Sequence, residues 1–124
     1  MSGAGALSGR SIMIVEDNFF VADELQRDLH NAGAEVIGPF NKVADARDSL
    51  AGNADGLSAA VLDVNIGGAK VYPLASELQS AGVPFVFVTG YDARAIPGQF
   101  AAVTRLVKPI ARRELIHALA HIAR

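Results

Sequence analysis

Residues 12 to 20 read IMIVEDNFF. Four apolar residues run straight into two adjacent acids, Glu16 and Asp17. Like charges at the end of a water-avoiding segment repel each other and lose hydration, so the arrangement asks for something positive between them. The same pattern returns downstream. Ala59–Leu62 runs into Asp63, the apolar stretch PFVFVT at Pro84–Thr89 ends in a hydroxyl, and Arg105–Val107 leads into Lys108 and Pro109. Each chemically useful residue closes an apolar run of strand length.

Between these runs the spacing turns helical. Phe20, Leu25, Leu29 and Ala32 form one apolar stripe, which Gly33 closes. Val43, Ala46, Arg47 and Leu50 suggest a second helix, and Val71, Leu74, Ala75 and Leu78 a third, ended by Gly82. Ala111–Ala123 carries Leu115, Leu119 and Ile122 on one face of a last helix. Glu35–Gly38 is a short, weaker strand that Pro39 ends, and Val64–Ala69 is a glycine-containing turn. Strand-helix alternation with strands apolar on both faces predicts an α/β fold: a five-stranded parallel sheet, doubly wound, with right-handed crossovers. Ligands of such sheets bind beyond the carboxyl ends of the strands. Glu16, Asp17, Asp63, Thr89 and Lys108 should therefore share one cleft. Clustered oxygen donors favour Mg²⁺, with Mn²⁺ also possible, and a metal there makes the acidic pair tolerable.

Composition narrows the function. The 124 residues suit one domain, and 51% apolar against 19% charged residues is enough for a core. The net charge of −2 is scattered, with no basic stripe for nucleic acid. There is no cysteine, which suits a reducing cytoplasmic setting and removes thiolate metal sites. No apolar run approaches a membrane span. The expected organisation is a flexible tail over residues 1–10, where Leu7 alone invites packing, followed by a single domain over 11–124. His117 and His121 stand four apart on the last helix, but without a third ligand they read as a solvated face. Phe85 and Phe87 alternate as core residues, and at least one of Phe19 and Phe20 should pack inside.

Taken together, VEDN, VLDVN, FVTG and LVKP, in this order and each at a strand end, resemble the receiver domain of two-component response regulators, with sheet order 2-1-3-4-5. The resemblance spans Ser11 to Arg124. It implies that Asp63 is the phosphoacceptor, that Asp17 and Glu16 join Asp63 in holding Mg²⁺ with the backbone carbonyl of Asn65, and that Thr89 and Lys108 bind phosphoryl oxygens. It implies a sensor histidine kinase or phosphotransfer protein as phosphodonor and an unidentified downstream protein, in a monomer or weak dimer. The peptide bond before the proline that follows this lysine is commonly cis in the family. The stretch PFVFVTGY further resembles a branch of mostly stand-alone receivers from alphaproteobacteria whose fourth strand reads Pro-Phe-x-Phe-Ala-Thr-Gly-Tyr. That branch lacks the aromatic switch residue three positions before the lysine. Arg105 holds that place here and cannot turn inwards without burying charge, so Tyr91 is an alternative cover for the pocket. Pro97-Gly98 interrupts the region of the usual fourth helix, and a short or disordered helix is expected over Asp92–Ala102. Two alternatives stand beside a stand-alone receiver: the receiver of a hybrid histidine kinase, and a phosphatase-like enzyme with an aspartyl intermediate. Asn65, where haloacid dehalogenase-like phosphatases have a second acid, speaks against the latter.

Overall fold

A computed structural model describes residues 5–90 and 96–124. The expected strands appear as β1 (Ser11–Val15), β2 (Glu35–Phe40), β3 (Ala59–Asp63), β6 (Phe85–Thr89) and β7 (Arg105–Val107). They form one sheet in the order β2-β1-β3-β6-β7, every pair parallel. This is the expected order 2-1-3-4-5, because two further short strands, β4 (Asn65–Ile66) and β5 (Ala69–Lys70), make a separate antiparallel hairpin. The helices are α1 (Phe19–Asn31), α2 (Val43–Leu50), α3 (Tyr72–Ser80) and α4 (Arg112–Ile122).

Alternation along the strands divides the core. Met13, Val15, Ala60, Leu62, Phe85 and Phe87 face α2 and α3, and Ile12, Ile14, Val61, Val86 and Val88 face α1 and α4. Both faces are sealed, as a parallel sheet requires. Phe85 and Phe87 are core residues as expected, in a ring cluster with Phe100 and Tyr72.

Four expectations change. Strand β2 does not stop at Gly38 but runs through Pro39 to Phe40. It is an edge strand, where a missing N–H costs no ladder bond, and its register with β1 shifts between Met13 and Val15. The turn over 64–69 is the β4-β5 hairpin, since Gly67 and Gly68 both take positive φ (58° and 85°), the geometry of a tight two-residue loop. Gly5–Arg10 packs onto the domain over the stretch expected as tail: Leu7 is fully buried and its N–H donates to Ala32 O. Phe19 and Phe20 are 73% and 80% exposed, against the expectation that one packs inside. The inward face of α1 is Ala22, Leu25 and Leu29, and its first turn starts at the carboxyl edge of the sheet, beyond the strands. Where a fourth helix would lie, Gly98–Phe100 makes one 3₁₀ turn, with no regular helix at 96–97 or 101–102; residues 91–95, Tyr91 included, fall outside the described residues.

Candidate phosphoacceptor cleft

The sheet ladder itself carries the polar residues to one edge. Glu16 follows β1, and its N–H donates to Phe40 O at 2.9 Å. Asp63 ends β3 in register with Val88, and Val64 N–H donates to Val88 O. Thr89 ends β6 in register with Val107, and its carbonyl accepts the Lys108 N–H at 2.8 Å. The Lys108–Pro109 bond is cis.

Within this edge Lys108 is the hub. Its Nζ stands 3.0 Å from Asp63 Oδ2 and 3.1 Å from Glu16 Oε1. The contact to Oε1 is a close ion pair without hydrogen-bond alignment, while Lys108 Nζ donates to Glu16 Oε2 at 3.3 Å; among the described residues Oε1 is buried without a hydrogen-bond partner. Glu16 Oε2 accepts from Asn18 N–H, and Asn18 in turn caps α1 by accepting the Val21 N–H. Asp17 is exposed, and its Oδ2 accepts the Gly67 N–H at 2.7 Å. Asn65 N–H donates to Asp63 Oδ1 at 3.3 Å, and Lys70 Nζ donates to Asn65 Oδ1. Thr89 Oγ1 is buried without a hydrogen-bond partner among the described residues.

Electrostatics follow from this crowding. Burial is the main cause that pushes the Glu16 carboxyl up to about 7, and neighbouring Asp63 adds to it; Lys108 and the Asn18 N–H only partly oppose them. Burial alone would lower the Lys108 ammonium, but its hydrogen bonds to Asp63 and Glu16 outweigh it and raise it above the ordinary value.

Glu16, Asp17 and Asp63 each offer a carboxylate oxygen, all within 4.8 Å of one another. With the open lone pair on Glu16, this set of hard oxygens suits a small divalent cation better than a soft metal. Glu16, Asp17 and Phe19 also line a cleft of about 320 Å³ towards Pro39 and Asn41. A larger groove between α1 and α4, with Asp28, Arg112 and His117 on its walls, holds none of these acids.

The structure therefore brings Glu16, Asp17, Asp63, Asn65, Thr89 and Lys108 together. Arg105 lies exposed on the edge strand β7, as its charge demands. Gly67 and Lys70 were missed as neighbours of the site. The signal was present in Gly67-Gly68, a dipeptide that closes two-residue hairpins.

A parallel sheet of this order with acids, a threonine and a lysine on its carboxyl edge defines a response regulator receiver. The comparisons agree. The chain is 34% identical to the solution structure of SdrG from Sphingomonas melonis Fr1, with a TM-score of 0.80, covering 94% of this chain and 97% of that one. It is 31% identical to the BeF3-activated conformation of SdrG from Pseudomonas melonis Fr1, with a TM-score of 0.75 and 97% of each chain covered. A response regulator receiver protein from Sinorhizobium medicae WSM419, 20% identical, shares the fold with a TM-score of 0.78 over 94% of this chain and 95% of that one. No protein-family model and no curated protein matches the chain. On its likeness to SdrG the chain belongs to the response regulator receiver family.

Proposed function

We propose that this chain is a stand-alone receiver that accepts a phosphoryl group on Asp63 from a histidine kinase or phosphotransfer protein and signals through a protein partner. The observation that carries it is the Lys108 bridge: an ammonium held at 3.0 Å from one oxygen of a nearly buried aspartate at the end of a central strand. A turn-forming aspartate needs no such partner, whereas an aspartate that receives a phosphoryl group needs a fixed cation beside it.

In this reading the Asp63 oxygen not held by Lys108, Oδ1, attacks phosphorus in line with the scissile P–N bond of phosphohistidine. A P–O bond forms, and the imidazole leaves with the bonding pair. Lys108 and Thr89 would take phosphoryl oxygens, a role supported by a Thr89 hydroxyl that is buried without a hydrogen-bond partner among the described residues. Glu16, Asp17, Asp63 and the Asn65 carbonyl would hold Mg²⁺, or Mn²⁺. When bound, the cation neutralises charge on the transferring group. Phosphorylation adds negative charge and acceptor oxygens to the site. Thr89 then turns towards them, and Pro109 fixes the chain after Lys108. Arg105 holds the position of the usual aromatic switch, and Tyr91 is the alternative cover for the pocket. Phe19 lines the cavity beside Glu16 and Asp17, and with Phe20, rings 5.6 Å apart, it forms an exposed aromatic pair that suits a protein phosphodonor. Such a module changes partners rather than turning over an outside substrate, and a cytoplasmic place fits it. Among the described residues no helix is long and apolar enough to cross a membrane.

Intact mass after acetyl phosphate and Mg²⁺ tests the reading. The native chain should gain one phosphoryl group and Asp63→Ala none. Equal labelling of both, or labelling of neither, would refute it, and steady hydrolysis of a phosphate ester would favour a phosphatase.

A further inference from the structure

Lys108 and Lys70 each bond a residue of the phosphoacceptor cleft, but only Lys108 is paired with its acids. Lys108 is bound to two carboxylates. Lys70 has no carboxylate in ion-pair range among the described residues, and its ammonium bonds a neutral oxygen, the Asn65 amide. It is also held in place. Asn65 and Lys70 are directly opposed in the β4-β5 ladder, which puts their side chains on one face of the hairpin. The hairpin is pinned at its tip by Gly67 N–H to Asp17 Oδ2, at its root by Val71 N–H to Val64 O at 2.9 Å, and through Asn65 N–H to Asp63 itself. An exposed cation is thus bonded to Asn65, on a hairpin held by hydrogen bonds to two of the cleft's acids, Asp17 and Asp63.

Charge balance gives that cation work. Three carboxylates and one ammonium leave the cleft two negative charges when all are ionised. A divalent cation cancels them and no more. An arriving phosphoryl group brings up to about two further negative charges, and the fixed cations of the cleft are by then already engaged. We propose that Lys70 is a binding residue for the anionic phosphodonor: it draws the phosphoryl group to the cleft and holds it beside Asn65, without taking part in metal binding. The inference rests on the proposed phosphoacceptor role of Asp63. An exposed cation acts chiefly on capture and is weakened by salt.

The two ligands separate this role from a structural one, because their charges are opposite. Titrations of the native chain, Lys70→Gln, Lys70→Glu and Lys70→Arg with Mg²⁺ alone, followed by amide shifts, should show binding about twofold tighter in Lys70→Gln, since a repelling charge is gone. With Mg²⁺ saturating and acetyl phosphate limiting, phosphorylation of Lys70→Gln should slow about threefold to tenfold at low salt and that of Lys70→Glu further, with the difference closing as salt rises. Lys70→Arg should restore the rate. Parallel weakening of both ligands, or losses insensitive to salt, would show that Lys70 only props the hairpin and would overturn the inference. So would a Lys70→Gln chain that takes phosphate as fast as the native one. If the native chain takes no phosphoryl group, the Asp63 reading fails and this inference with it.

Discussion

The cleft has two unlike walls. One is made by strand ends: Glu16, Asp63, Thr89 and Lys108, three of them buried and all spaced by the parallel ladder. The other is made by turns: exposed Asp17 and the β4-β5 hairpin with Gly67 and Lys70, joined by single hydrogen bonds. The backbone of the first wall cannot move without breaking the sheet, so it suits the chemistry. The second is exposed to solvent and screening, so it suits capture and tuning. Substitutions in the first wall should abolish or reshape function, and those in the second should grade it.

The largest effect is expected at Lys108. Lys108→Ala removes the cation beside Asp63 and should slow phosphoryl uptake by about a hundredfold, the usual scale for a lost fixed charge or donor. It also strands two buried acids together, so the thermal midpoint should fall at neutral pH. A rate near that of the native chain would erase the distinction between the walls.

Glu16 makes the next test, through pH. Its folded carboxyl keeps its proton to about 7, whereas in the unfolded chain it ionises near 4.5. Between these values the folded state binds more protons than the unfolded one, so this group's contribution makes stability fall as pH rises through that window. Thermal melts of the metal-free protein should show this decline, and Glu16→Gln should lessen it and raise the midpoint above pH 7. Mg²⁺ should also flatten it in the native chain, because a cation favours the ionised carboxylate. Identical pH profiles for the native and Glu16→Gln chains would contradict the burial argument.

On the second wall, Gly67→Ala should cost about 1 kcal/mol, because φ of +58° disfavours a side chain even where space is open. Calorimetry should read this as a drop of about 4 °C. Phosphorylation should slow only modestly, since the Gly67 N–H to Asp17 survives. The smallest effect is the salt-dependent one at Lys70. A loss at Gly67 as large as that at Lys108 would mean that the hairpin, too, belongs to the rigid part of the site.

Most of the strand-end wall was legible in the chain itself. Each of its residues follows an apolar run, and a parallel sheet puts all such ends on one edge, so local pattern sufficed for Glu16, Asp63, Thr89 and Lys108. Strand β2 was misjudged at Pro39 because a proline stops a central strand but not an edge strand, and edge position is a property of the assembled sheet. Phe19 and Phe20 were misjudged because hydrophobicity says nothing of whether a helix turn overhangs the strands.

What the sequence determined alone is therefore the order of strands and helices and the set of residues at the sheet's carboxyl edge, since both follow from periodicity and chain direction. Tertiary structure decided the rest: that Lys108 bridges two acids, that burial lifts Glu16, that Gly67 reaches Asp17 fifty residues earlier, and that Lys70 bonds the Asn65 amide. These depend on distances and desolvation between segments far apart in the chain, which no local pattern of side chains encodes.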